Sequence, residues 1–462
     1  MSPTKKTMLA LCALFALTLT SCAAPLIAAD TTPRVLEQSD DPPPTTAAFA
    51  GDKCEVTPPL PPEDKTPPTD TPGTAPSPAE AQIVSTITQQ VQQVRGLDGA
   101  DVPVEMLGAD QVTATLDRFR TERDTSNAAG LDPLAKQLGW VPESSSLEAE
   151  SKALQAGLVL GFYVPEAKKL WVVQRGDQLS PLQQATVAHE WTHALQDANY
   201  DLAAIDATVP KYDFDWSSAV TAVEEGDASH TEEEWSQAYQ TPEQRRARQR
   251  EEASVAPGQV KLGPLVDDLY MPYVYGPAFI SDVIASSGTP PLAKVFADMP
   301  RTTTEILHPE LYAQGFERTE IGLDDYGARL GSGWEKKIAG TWGEFSTANI
   351  LSGIPASSVT GGASDELPYV QGWLGDCLGF WMKDTGRFGA IHTKWTDEAT
   401  AARFVARVGK VLDESGAQPA ANGFRGVDPE HLWKVDQSGD TTTLLFTNES
   451  GATTAAGGSS RV

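Results

Sequence analysis

The sequence predicts an α+β protein with two ordered domains behind a leader and a linker. Three observations carry this prediction. From Ala81 onward, apolar residues at helical spacing are interspersed with short β-branched and aromatic runs bounded by turn residues. Twelve prolines fall between Asp41 and Glu80, which sets that stretch apart from everything after it. The length, 462 residues, accommodates two to three domains.

In chain order, Lys5 and Lys6 precede an apolar run from Met8 to Leu19. The run is too short to cross a bilayer core as a helix, but it has the charged start and short apolar body of a secretory signal. It ends in Leu19-Thr20-Ser21-Cys22, which resembles the lipobox of bacterial lipoproteins. That resemblance implies removal of residues 1–21 and diacylglycerol on Cys22. The chain would then face outward in the cell envelope, held to the membrane by a lipid rather than by a span. The alternative is an ordinary signal cut near Ala24 or Ala29, releasing a soluble protein.

Residues 22–80 read as a proline-rich disordered linker, unable to bury enough apolar surface to offset ordering entropy. Cys54 lies within it. In an oxidising compartment Cys54 can pair with Cys377, or Cys377 can be a buried thiol and Cys54 unpaired; sequence does not supply the Cα separation that decides.

The first ordered domain is placed at 81–330. Ile83, Ile87, Val91 and Val94 mark a helix, Val102 to Leu107 a strand, and Asp110 caps a helix to about Glu122 with Val112, Leu116 and Phe119 as its stripe. Leu158 to Val164 and Leu170 to Val173 form a hairpin around Pro165-Glu166-Ala167-Lys168-Lys169. Ser180-Pro181 supplies a cap and a first-turn proline for a helix to about Asn199, and Thr241-Pro242 repeats the signal for a helix to Ser254. Further helices are expected over Ser217 to Glu234 and Gly276 to Ser287. A smaller C-terminal α+β domain, 331–447, reads as a helix, strands near Trp373 to Lys383 and Phe388 to Trp395, a helix from Asp397 to Asp413, and a strand at Thr441 to Phe446. Trp373 and Trp381, an even number of residues apart, share a face if their strand is continuous. Residues 448–462 read as a flexible tail.

Charge narrows the partners. Against 63 acidic residues stand 35 basic ones, a net charge of −28. Nucleic acid is excluded as a partner, because phosphate binding needs clustered Lys and Arg, and Arg245, Arg246, Arg248 and Arg250 are hemmed in by Glu243, Glu251 and Glu252. That run and Glu232-Glu233-Glu234 read as solvated helix faces. None of the four cysteines forms a Cys-x-x-Cys pair, so a metal site must use histidine and carboxylate.

The helix after Ser180 contains His189-Glu190-Trp191-Thr192-His193. Residues i and i+4 share a face, so both imidazoles can reach one zinc while Glu190 stands beside it as general base. A third ligand is needed. Gln196 and Asn199 occupy the positions where metzincins carry glycine and a third histidine, which excludes that class. Ala222-Val223-Glu224-Glu225-Gly226-Asp227-Ala228 offers a glutamate from a second helix. Helical phase favours Glu224, which shares a face with Val220 and Val223, although Gly226 can end or bend that helix.

The string His-Glu-x-x-His-Ala-Leu-Gln-Asp, completed by Asp197, followed by Glu-Gly-Asp-Ala resembles a family of bacterial extracytoplasmic zinc metallopeptidases of gluzincin type. Gly161 to Pro165, Tyr275-Gly276, Thr303 to Glu310, Gly343-Glu344-Phe345 and Gly372 to Asp376 extend the resemblance over most of residues 150 to 410. It implies a zincin-like core, one Zn2+ per chain, hydrolysis of a peptide or protein substrate, and Glu225 as third ligand with His189 and His193. Asp197, four residues after His193, is a candidate to hold a liganding imidazole. Tyr275, His308 and His230 are candidates to stabilise an oxyanion. The edge strand of the hairpin would hold an extended peptide. The rival reading is a catalytically inactive metal- or partner-binding envelope lipoprotein.

Overall fold

A computed structural model describes residues 20–22, 54, 72–99, 101–119, 122–174, 176, 178–255, 264–287, 292–354 and 362–457. The leader through Leu19 and most of the predicted linker lie outside the described residues, as do the last residues of the tail. Among the described residues the molecule is α+β, built on a four-stranded and a seven-stranded sheet.

In the four-stranded sheet the order is β1 (Thr20–Cys22), β3 (Gly161–Val164), β4 (Lys169–Gln174), β2 (Val104–Gly108). β3 and β4 are the expected antiparallel hairpin, while β2 joins β4 in parallel. Leu170 and Val172 face α1 (Pro78–Arg95) and α5 (Pro181–Tyr200), whereas Trp171 and Val173 face α2 (Val112–Phe119). Burial on both faces is why β4 reads as an unbroken apolar run. α1 starts two residues before the predicted end of the linker, capped by a reciprocal Ser77–Glu80 pair, and buries Val84, Ile87 and Val91. α2 follows a 3-10 turn at Ala109–Gln111, so Asp110 does not cap it.

Two helices between β2 and β3 were not expected: α3 (Glu122–Gln137) and α4 (Leu147–Leu158). α3 contains Gly130 and Pro133, residues that normally punctuate turns. Packing of Leu131 and Leu134 against the C-terminal core overrides that local preference.

α5 is capped by Ser180 and Gln183 with Pro181 at its first position, as the sequence indicates. After α6 (Leu202–Asp206) comes α7 (Phe214–Tyr239), 26 residues without a break at Gly226. α8 (Pro242–Val255) matches its prediction, but α9 (Pro264–Ser287) begins well before Gly276 and runs through Pro272 and Pro277. α7 and α9 cross at glycine. A Cβ on Gly226 would lie 2.4 Å from the backbone carbon of Gly276, and a Cβ on Gly276 would lie 2.2 Å from the Ala222 carbonyl oxygen. Gly226 therefore serves close helix packing, not termination. Short helices α10 (Leu292–Ala297), α11 (Thr303–Leu307), α12 (Pro309–Gln314) and α13 (Tyr326–Leu330) lead to the second sheet.

That sheet is antiparallel throughout, in the order β5 (Glu335–Gly340), β6 (Trp373–Lys383), β7 (Gly386–Trp395), β11 (Thr441–Thr447), β10 (His431–Ser438), β9 (Arg425–Asp428), β8 (Gln418–Pro419). β5 was not anticipated and precedes the helix expected at the start of this domain; its exposed Glu335, Lys336 and Lys337 guard the sheet edge. α14 (Glu344–Gly353) and α15 (Ala363–Val370) follow it. α16 (Glu398–Glu414) covers one face, packing Phe404 and Val408 with Trp373, Phe380 and Trp433. The other face meets Tyr326 and a 3-10 helix at Ser450–Gly457, whose Ala452 and Ala455 are buried. The chain beyond residue 447 is thus packed through Ala455, within the segment expected to be a flexible tail.

Trp373 and Trp381 are both core but lie on opposite faces. A register shift between Trp373 and Gly375 adds one residue to β6 and reverses the parity. Cys54 and Cys377 form a disulfide with a Cα–Cα separation of 5.7 Å, which resolves the two cysteine alternatives. Among the described residues no helix is long and apolar enough to cross a membrane.

Candidate metal centre

α5 and α7 pack side by side and bring three ligand atoms together. His189 Nε2 lies 3.1 Å from His193 Nε2 and 3.2 Å from Glu225 Oε2, and His193 Nε2 lies 3.3 Å from the same oxygen. All three residues are buried. The expected i, i+4 pair and the Glu225 assignment are therefore together at one point, a possible metal-binding triad.

The outer ring nitrogens define the tautomers. Glu232 Oε2 accepts from His189 Nδ1 at 2.9 Å, and Gln196 Oε1 accepts from His193 Nδ1 at 2.8 Å. The Gln196 amide cannot be reversed without loss, because its Nε2 donates to the Glu224 carbonyl and to Asp227 Oδ2, each at 2.9 Å. An ionised carboxylate and an amide oxygen only accept, so both imidazoles carry hydrogen on Nδ1 and can turn an Nε2 lone pair inward. Three acceptor atoms then converge at hydrogen-bonding distance. A cation satisfies all three, and nitrogen, nitrogen and carboxylate oxygen are the donors of a catalytic zinc site. Without a cation a proton takes that role. Burial by itself would lower the His189 pKa, but hydrogen bonds to Glu225 and Glu232 outweigh it and push it up to about 10. Burial likewise opposes ionisation of Glu225, yet the neighbouring His193 and the bonds to both histidines hold its pKa well below the usual range.

Glu190 is buried beside the triad on α5, and its Oε2 accepts from the backbone N–H of Tyr163 at 2.9 Å. Strand β3 thus holds the candidate base. The outer side of β3 carries β1, with Thr20 opposite Tyr163, Ser21 opposite Phe162 and Cys22 opposite Gly161. The strand expected to be an open edge is paired to the chain's own segment ending at Cys22.

Glu224, favoured by helical phase, is outside the triad. The phase reading fails because α7 is buried on every side from Ala222 to Ala228, so apolar neighbours do not mark one face. Burial first, then the charges of Asp206, Glu225 and Asp197, raise the Glu224 pKa well above normal. Asp197 does not hold an imidazole. It accepts from the Tyr163 hydroxyl and from Lys168 Nζ, both at 2.5 Å, and Gln196 takes the predicted role from one residue earlier. Tyr275 sits within α9, donating to Ser364 at 3.1 Å with its ring edge on Phe345, and His308 pairs with Glu344 at 3.1 Å. These contacts place both candidates in networks other than that of the triad. His230 pairs with Glu234 at 3.6 Å.

Glu232 and Arg248, read as solvated, are buried in the site's surroundings. Spacing held the missed signal: Glu232 lies seven residues, two helical turns, after Glu225, and Gln196 lies seven after His189. Residues 329–457 match the family model of a domain of unknown function (DUF8575), a match that covers the second sheet and not the triad. No curated protein and no solved structure matches the chain.

Proposed function

We propose that this chain is a lipid-anchored extracytoplasmic zinc metallopeptidase with a zincin-like core. The observation that carries the reading is the convergence of His189, His193 and Glu225 on one point with Glu190 buried beside them. His189, His193 and Glu225 would hold Zn2+, which when bound supplies a Lewis acid that acidifies water and polarises a carbonyl. Glu190 accepts the proton of the attacking water and returns it to the leaving amine. The Tyr163 N–H holds the Glu190 carboxylate in place for both transfers.

The pairing of β1 with β3 supports a peptide substrate, since this strand accepts an extended segment one ladder away from the base. Cleavage before Cys22 would remove Thr20 and Ser21 from that position and leave the edge to substrate. An inactive binding lipoprotein would have no use for Glu190.

Elemental analysis of the purified protein is expected to give about one zinc per chain, lost in His189→Ala and Glu225→Ala. Glu190→Gln should retain zinc while peptide-library cleavage falls by about 10²–10⁴-fold, the usual contribution of a positioned base. Undiminished cleavage by Glu190→Gln would sink the assigned role, and absence of metal after zinc reconstitution would favour the inactive scaffold.

A further inference from the structure

Two buried arginines stand behind the triad, each on a helix that supplies no ligand. Arg248 of α8 pairs with Glu232 at 2.5 Å, and its Nε lies 2.7 Å from Glu252. Glu232 is the carboxylate that receives His189 Nδ1. On the other side Arg95, the last residue of α1, pairs with Asp227 at 2.8 Å. Asp227 accepts from Gln196, whose oxygen receives His193 Nδ1. The two arginine side chains are 4% and 7% exposed, so both are taken out of water to make these pairs. Such burial is costly unless the geometry is well satisfied, and it places each guanidinium at the end of a chain leading to one histidine.

We propose that Arg248 and Arg95 are positioning residues for the metal, each orienting one histidine ring through an intervening acceptor, so that α8 and α1 belong to the metal site. The inference rests on the metal reading given above. The two chains differ in kind. Removing Arg248 leaves Glu232 and Glu252 buried, with Glu233 nearby, without the guanidinium that pairs with them, which should drive Glu232 from its place under His189. Removing Arg95 still leaves Gln196 anchored on the Glu224 carbonyl, so His193 keeps most of its support. Arg248 should therefore matter more.

The test is zinc affinity of the full chain by competition with a chromogenic chelator, with thermal melting followed in parallel. Arg248→Met should weaken zinc binding about 10- to 100-fold, the range found for lost outer partners of metal ligands, and Arg95→Met by less than about tenfold. Because the chains end on different rings, the effects should multiply in the double variant. Arg248→Lys, which keeps the charge but loses the fork, should fall between, and it serves if the methionine variant does not fold. Cobalt(II) in place of zinc adds a spectroscopic readout, with visible bands shifted in Arg248→Lys. Folded Arg248 variants with unchanged zinc affinity and an unchanged cobalt spectrum would overturn the proposal while leaving the metal site standing. A wild-type chain that binds neither ion would overturn the metal reading itself.

Discussion

Gly226 stands next to Glu225 of the candidate triad and against the backbone of Gly276, so one added methyl would act on packing and on that triad together. Gly226→Ala should force α7 and α9 apart, costing about 1–3 kcal/mol of stability, and should reduce zinc content; melting and elemental analysis check both. Glu224→Gln should behave oppositely. The raised folded pKa of Glu224 means the native chain binds a proton more tightly than the unfolded one, so its contribution is most favourable below the unfolded value and is lost as pH rises above about 4.5. The substitution should therefore retain zinc and stabilise the metal-free protein more at pH 8 than at pH 5 in urea melts; an equal effect at both would contradict it. The His189 and His193 pair was legible because i, i+4 geometry belongs to any helix. Glu225 was legible only through its motif register, since a helix buried all round hides its phase. Glu232 and Arg248 were hidden by composition, because charge runs look alike whether solvated or paired indoors.

At the scale of elements, local signals worked where they agreed with packing. Ser180-Pro181 and Thr241-Pro242 announced α5 and α8, and the apolar runs announced β3, β4, β6 and β7. They failed where tertiary contacts overrode them. α9 carries two prolines and α3 one, and β5 begins with three charged residues that resemble a helix surface. The bulge in β6 could not be anticipated from spacing, because one extra residue reverses every later side chain. The Gly- and Ala-rich end is the sharpest case. Its Ala452 and Ala455 share a core with Tyr326, Trp381 and Leu445, so a chain ending at Thr447 should lose about 1–3 kcal/mol by uncovering them. The urea midpoint of that truncation measures the effect, and an unshifted midpoint would restore the tail reading.

For the whole molecule, the α+β class was readable, as were β6, β7 and β11 of the second sheet, but β5, β8, β9 and β10 were not, and the expected boundary near residue 331 is bridged by a shared core. Leu131, Leu134 and Trp140 of the first part share a core with Ile338, Trp342 and Phe404 of the second. Sequence order separates what the core joins. The disulfide ties the ends more firmly still, linking residues 323 apart. Cys54→Ser should lower stability by about 2–5 kcal/mol in a non-reducing urea melt, with reductant bringing wild type to the same midpoint. The bridge also governs how mechanical load would travel. Under the proposed lipidation of Cys22, and once Cys22 has left its place opposite Gly161, a pull on the molecule would enter through Cys54 and pass directly into β6. Roughly thirty residues separate the two cysteines in sequence, a contour length of at most about 110 Å, which would bound the distance between the proposed anchor and β6. α1, with Arg95 at its end, lies off that line of tension while the bridge is closed. Under the same proposals, reduction would reroute the pull through α1, turning a static staple into a fuse between traction on the proposed anchor and the seating of His193.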